Sequence, residues 1–295
     1  MHGLPDFLKE KLNEQYGEAL CAVIERGMSE RRVTSFRVNT LKSSPGDVAE
    51  MLRADGIECS PAPLGDTAFV TSCSAHEISR THAYESGLIY LQSLSSMLPV
   101  MFLGAQAGED ILDMAASPGG KTSQIAAVTG GKACITACEK NAVRFERLKF
   151  NMQRQGVGRI SLIHKDACAL DKMFVFDRIL LDAPCSGSGT LELWRDEPPA
   201  ISEELVTRSA KTQRRMLSYA LDRLKSGHEM IYSTCSLLHE ENEDAVRSVL
   251  SRAQIIPLEA PDYLPLLPSA TCGCITVAPS AMYEGFFIAK LRKKG

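Results

Sequence analysis

The sequence predicts an α/β protein: a doubly wound, largely parallel, Rossmann-like sheet with a small N-terminal α/β module. Three observations carry the prediction. From about residue 84 short apolar runs alternate with amphipathic stretches of helical period. The first of these runs ends in a glycine-rich turn, Asp113 to Thr122. Two later runs end in cysteine motifs, Asp182-Ala183-Pro184-Cys185-Ser186-Gly187 and Ser233-Thr234-Cys235-Ser236. Open α/β sheets keep their reactive groups at the carboxyl ends of strands, and both thiols are expected there.

Residues 1 to about 30 read as amphipathic helix, with Phe7, Leu8, Leu12, Leu20, Val23 and Ile24 as the apolar face. Ser35–Asn39 reads as a strand. Pro45–Ala54 reads as a helix, with Ser44 at the cap and Pro45 in the first turn. Residues 60–66, rich in Pro and Gly, read as a loop, and Ala68–Thr71 as a further strand. Leu88–Leu103 is predicted as one long apolar helix. Alternation follows: strand Asp110–Met114, helix from Gly120, strand Ala133–Cys138, helix Asn141–Gln155 and strand Arg159–His164. After a loop come strand Asp177–Leu181, helix Glu203–Leu224, strand Glu229–Ser233, helix Glu240–Arg252 and a last strand, Gly285–Lys290. The expected division is residues 1–83 for the small module and 84–295 for the large sheet.

The chain has 295 residues, a net charge of −3 and 10 cysteines. No apolar run is long enough for a membrane span, about 18–20 residues. The first residues lack a basic-then-apolar leader pattern, so a cytoplasmic protein without membrane attachment is expected. The cysteines form no CxxC pair, and Cys272-Gly273-Cys274 has no matching second pair. They are read as reduced, with no metal site. Basic residues cluster at Lys140, Arg144, Arg147, Lys149, Arg154, Arg159 and Lys165, against Glu146. Such a cluster can hold a phosphate backbone, or can simply be a solvated face. Trp194 fits base stacking or packing under a loop, and Asn39 fits a turn hydrogen bond or an RNA contact.

The turn after the first sheet strand narrows the ligand. Ala115-Ala116-Ser117-Pro118-Gly119-Gly120-Lys121 brings backbone N–H groups and a helix start to one place. A Walker loop needs glycine at the position of Ala115, and the dinucleotide fingerprint GxGxxG is absent. What remains is the short loop that cradles S-adenosylmethionine. Glu139 ends the second strand, where a carboxylate can accept ribose hydroxyls. Asp166 follows the third, where it can accept the adenine amino group. Each acid alone is as readily a helix cap. Their order after successive strands is what favours a class I methyltransferase sheet.

Two thiols then point to a carbon acceptor. Cytosine C5 is too weak a nucleophile to take a methyl group directly. Addition of a thiolate to C6 gives C5 enamine character, and a carboxyl group near N3 steadies the developing charge. A second group must remove the C5 proton before the thiol leaves. Cys235, Asp182 and Cys185 supply these three parts. A thiol pKa of about 8.5 requires help to ionise, and a helix start near Glu240 and the Lys121 side chain are candidates. Spacing alone leaves open which thiol attacks.

On these residues the chain resembles the Nop/Sun (Fmu-like, RsmB/RsmF-type) family of RNA cytosine-C5 methyltransferases. The matching segments are 36–42, 87–92, 113–122, 182–189, 233–236 with 240–243, and 285–289. The resemblance implies that Cys235 is the covalent nucleophile and that Cys185 releases the product. It implies that Asp182 contacts the base and that Lys121 lines the pocket. The S-adenosylmethionine site would be Ala115, Ala116, Ser117, Pro118, Gly119, Gly120, Lys121, Glu139, Arg144, Asp166 and Asp182, with S-adenosylhomocysteine as product. The N-terminal module would grip RNA in an RNA-recognition-like manner, on a monomer, with an unpaired or flipped cytosine as target. No NusB-like extension is expected before it, and no further RNA-binding domain after it. Small-subunit rRNA is the expected substrate; tRNA, or an inactive assembly factor on the same scaffold, is the alternative. After Gly189 the family's basic residues are replaced by a stretch containing Glu192, Asp196 and Glu197.

Overall fold

The computed structural model describes residues 3–196 and 200–295; Glu197, part of the acidic stretch singled out above, lies outside them. In chain order the elements are α1 (Asp6–Tyr16), α2 (Glu18–Ser29), β1 (Thr34–Val38), α3 (Pro45–Ala54), β2 (Ser60–Pro61), β3 (Ala68–Thr71), α4 (Ala75–Ser79), α5 (His82–Glu85), β4 (Ile89–Leu91) and α6 (Leu94–Leu103). Then follow β5 (Asp110–Asp113), α7 (Gly120–Val128), β6 (Cys134–Cys138), α8 (Ala142–Gln155), β7 (Ile160–Ile163) and β8 (Phe176–Asp182). The remainder is α9 (Glu203–Arg223), β9 (Leu224–Thr234), α10 (Glu243–Arg247), β10 (Ala253–Ile256), β11 (Leu266–Leu267), β12 (Ile275–Val277) and β13 (Phe286–Lys293). Two compact units result, one of residues 33–180 and one of residues 1–32 with 181–295.

The 33–180 unit holds the parallel strands in the order β8-β5-β6-β7, the doubly wound pattern predicted. Asp113 pairs with Ala137 on one side of β5 and with Leu180 on the other. The chain winds outward from β5 through β6 to β7, then returns to the far side of β5. Such a reversal of strand order is where open α/β sheets bind their ligands. The same unit carries an antiparallel sheet, β2-β3-β1-β4, covered by α3 and the short α4 and α5. Phe36, Val38, Val48, Leu52, Phe69, Ile78 and Ile89 form its core.

The second unit builds an antiparallel edge, β11-β12-β13-β9, with β10 also on β13. The N-terminal helices belong here by packing: Leu8, Leu12, Ile24 and Met28 are fully buried with Leu237 and Leu238. Tyr16 fixes the contact by donating its hydroxyl to the Leu237 carbonyl at 2.9 Å.

Several predicted elements need correction. The single N-terminal helix is two, because Gly17 turns the chain with φ 80°. Leu88–Leu103 is a strand followed by a helix. Ile89–Leu91 pairs with β1, and Ser93 caps α6 by accepting from the Ser96 N–H. The apolar run hid this boundary, since periodicity cannot separate a buried strand from a buried helix. Residues 60–66 include the two-residue strand β2, and β4, β10, β11 and β12 were not foreseen. The predicted helix Glu240–Arg252 is confined to Glu243–Arg247, because the side chains of Glu241 and Asn242 turn inward to serve the loops described below.

Candidate active site

In the 33–180 unit the glycine loop is tied down from several sides. Ala116 N–H donates to the Cys138 carbonyl, which fixes the loop against the next strand. Ser117 donates its hydroxyl to the Arg144 carbonyl at 2.8 Å, and Arg144 Nη2 returns a bond to the Ser117 carbonyl at 2.9 Å. Asn151 Nδ2 holds the Pro118 carbonyl at 2.8 Å. Gly119 caps α7 at φ 107°, a left-handed conformation that favours glycine. Lys121 Nζ donates to the Ser96 hydroxyl at 2.6 Å.

Glu139 is buried at the end of β6. One of its oxygens accepts from the Asn141 N–H at 2.8 Å and the other faces Arg144 Nε at 3.3 Å. Asp166 follows β7 and accepts from the Cys168 N–H at 2.9 Å, capping a 3-10 turn. Both acids thus have the local roles that acids after strands commonly have. A carboxylate has about four lone-pair sites, so neither role exhausts it. Loop, Glu139 and Asp166 lie at the carboxyl ends of adjacent parallel strands in register. The donor set fits an adenosyl ligand with a ribose diol.

In the other unit the two cysteine loops meet. Cys185 and Cys235 Sγ atoms are 2.9 Å apart, and both thiols are free and partly exposed. Asp182 Oδ1 accepts from the Ser233 hydroxyl at 2.8 Å, so the carboxylate sits beside the strand that leads to Cys235. Hydrogen bonding to Cys235, reinforced by burial and by the Glu241 charge, raises the Cys185 pKa well above the ordinary thiol value.

Glu241 is the residue for which the motif gave no role. It is fully buried. Oε1 accepts from Ser186 N–H at 2.8 Å and Gln213 Nε2 at 3.1 Å, while Oε2 accepts the hydroxyls of Ser186 and Ser236 at 2.5 Å each. One carboxylate therefore holds the residue after each thiol. Asn242 adds a bond from Nδ2 to the Ser236 carbonyl at 2.9 Å. The signal available in sequence was its acid and amide pair a few residues past Cys235; its partners 28 and 55 residues away were not legible. Gly189 and Gly285 complete the frame, since a Cβ on Gly189 would lie 2.1 Å from the Gly285 carbonyl oxygen.

Three other residues are placed. Asn39 is buried and donates to the carbonyls of Gly87 and Gln155, which is a structural role. Trp194 is 37% exposed, with Arg31 and Arg195 at 5.9 and 5.3 Å from its ring, so it does not pack under a loop. Glu192 is paired with Arg32 and Arg195, which offsets its charge.

The family model for 16S rRNA methyltransferase RsmB/F matches residues 100–292, and the ferredoxin-like domain of the RsmF/B-like proteins matches residues 4–72. The chain is 40% identical over 277 residues to ribosomal RNA small subunit methyltransferase F of Serratia proteamaculans, covering 88% of this chain and 56% of that protein. The Escherichia coli O157:H7 protein of the same name is 38% identical over 280 residues, covering 88% and 57%. The chain thus spans about half the length of these curated relatives. A crystal structure of a methyltransferase homolog protein from Pyrococcus horikoshii superposes with a TM-score of 0.83 at 31% identity, covering 99% of this chain and all of that one. With its family model matched across both cysteine motifs and the glycine loop, the chain belongs to the 16S rRNA methyltransferase RsmB/F family.

Proposed function

We propose that this chain methylates C5 of a cytosine in RNA, in small-subunit rRNA, by way of a covalent bond between Cys235 and C6. The observation that carries the reading is the contact of two free thiols beside Asp182 at the ends of two strands. Methylation of oxygen or nitrogen needs no thiol; a pyrimidine carbon needs one to attack and a second group to release it. The names of the relatives supply the class of RNA.

Cys235 bonds to C6 as a thiolate, and the C5–C6 π pair moves to give C5 enamine character. Asp182 hydrogen-bonds the base near N3. S-adenosylmethionine, when bound, supplies an electrophilic methyl group. The Ala115–Lys121 backbone, Glu139, Arg144, Asp166 and Asp182 are assigned to its binding, Lys121 to the pocket wall. Cys185 takes the C5 proton, the C–H electrons restore the C5–C6 double bond, and the Cys235–C6 bond breaks to return the thiolate. The raised pKa of Cys185 fits the proton-taking role, because once ionised the thiolate of a weaker acid is the stronger base. Residues 1–83 are assigned to RNA recognition and 84–295 to catalysis.

The test uses labelled S-adenosylmethionine, total RNA and 5-methylcytosine mapping with and without the gene. Cys185→Ala is expected to accumulate a covalent protein–RNA adduct, and Cys235→Ala to lose both adduct and product. Methylation that survives Cys235→Ala would overturn the role assignment. A missing site in tRNA rather than rRNA would overturn the substrate.

A further inference from the structure

Helix α8 carries a surface stripe that the reaction does not use. Val143, Arg147, Phe150 and Arg154 are spaced four, three and four residues apart, which places them along one line of the helix. The opposite face, with Leu148, Met152 and Gln155, is buried and fixes the helix orientation. Val143 is left 74% exposed and Phe150 62% exposed. Arg147 and Lys149 are exposed beside them. Arg154 lies over the Tyr84 ring at 4.1 Å and is 5.8 Å from the Phe150 ring centroid, so an aromatic and guanidinium row continues off the helix. Glu146 is the acid on this helix. Arg144 is excluded from the stripe because it is committed to Glu139 and Ser117.

A merely solvated basic helix has no use for an exposed phenylalanine at its centre. An apolar partner would not match the flanking arginines and lysine. A phosphodiester chain with unpaired bases matches both, since its phosphates meet the cations and a base face covers an exposed ring. We propose that this stripe of α8 is an accessory contact for single-stranded RNA, with Phe150 as stacking platform and Arg147 and Lys149 as phosphate contacts. The proposal rests on the reading of RNA as substrate and adds a contact surface made of residues with no part in the reaction.

The test is direct binding by the full chain, read by fluorescence anisotropy with a labelled single-stranded RNA of about 16 nucleotides across a salt series. Phe150→Ala is expected to weaken binding about tenfold and to leave the salt slope unchanged. Arg147→Gln together with Lys149→Gln is expected to lower the log–log salt slope by about 1.4, or ~0.7 for each phosphate no longer neutralised. Both variants should melt at the wild-type temperature, because the altered side chains are exposed. Wild-type affinity and slope in both variants would overturn the proposal. So would an equal effect of Phe150→Ala on a fully paired duplex, which offers no free base face. Binding is read without methyl transfer. These losses together with a failed Cys235 adduct would sink the reaction and keep the surface; unchanged binding with a normal adduct would sink the surface alone.

Discussion

Glu241 grips Ser186 twice, accepting its backbone N–H at 2.8 Å and its hydroxyl at 2.5 Å. The same carboxylate holds Ser236, so the spacing of the two thiols depends on a buried acid that touches neither sulfur by hydrogen bond in its own right. Glu241 is a positioning residue on this geometry. Glu241→Ala should lower kcat by about a hundredfold, the scale on which a misplacement of roughly 1 Å acts, with little change in KM for RNA. Glu241→Gln keeps the shape and one acceptor oxygen and should recover part of the rate. A rise in KM with unchanged kcat would contradict the role.

Cys185 should alkylate late on a pH scale. Its raised pKa comes first from the bond to Cys235, then from burial and from nearby negative charge. Iodoacetamide labelling followed by peptide mass spectrometry should show Cys185 modification rising only above the ordinary thiol pKa of about 8.5. In Cys235→Ala the largest cause is gone, and the profile should move to lower pH. An unmoved profile would show that the contact with Cys235 does not govern it.

Glu229 should contribute stability that disappears in acid. Burial pushes its carboxyl up, but Lys290 and Arg292 outweigh this and hold the pKa at about 2. The Lys290 ammonium lies 2.8 Å away and Arg292 lies opposite Glu229 in the β9–β13 register. A depressed folded pKa stabilises above the unfolded value and is lost as pH falls through the folded one. Glu229→Gln should therefore cost about 1–3 kcal/mol at pH 7, and the difference should vanish between about pH 4.3 and pH 2. Denaturant melts of both proteins across that window measure it.

Gly189→Ala should destabilise by about 1–3 kcal/mol, the usual cost of overpacking. The added methyl would meet the Gly285 carbonyl oxygen at 2.1 Å, and backbone cannot swing aside as a side chain can. Because Gly189 N–H donates to the Cys235 carbonyl at 2.9 Å, the variant should also slow adduct formation. A loss of stability with a normal adduct rate would separate the packing from the site.

Most of the alternation was legible. The runs around Ile111, Ile135, Ile179 and Ile231 are short, apolar and followed by turn residues, and each is a sheet strand. The run Leu88–Leu103 misled because both of its elements are buried, which removes the periodic contrast that marks a boundary. The short strands β10, β11 and β12 were silent because a few residues on a sheet edge carry no pattern of their own. β10 and β12 are held by pairing with β13 that their own residues do not encode, Ala253 against Lys293 and Val277 against Phe286.

By itself the sequence determined the fold class, the loop after β5 and the two thiols with their neighbouring acid, because each is a local pattern of adjacent residues. Tertiary structure alone decided that the thiols touch, that Glu241 spaces them, and that Phe150 stands exposed among arginines. Those facts depend on which residues 28 to 55 positions apart are brought together, and on which helix face is left without a neighbour. Residue spacing encodes a strand or a turn directly; a contact between loops is set only when the whole core has packed.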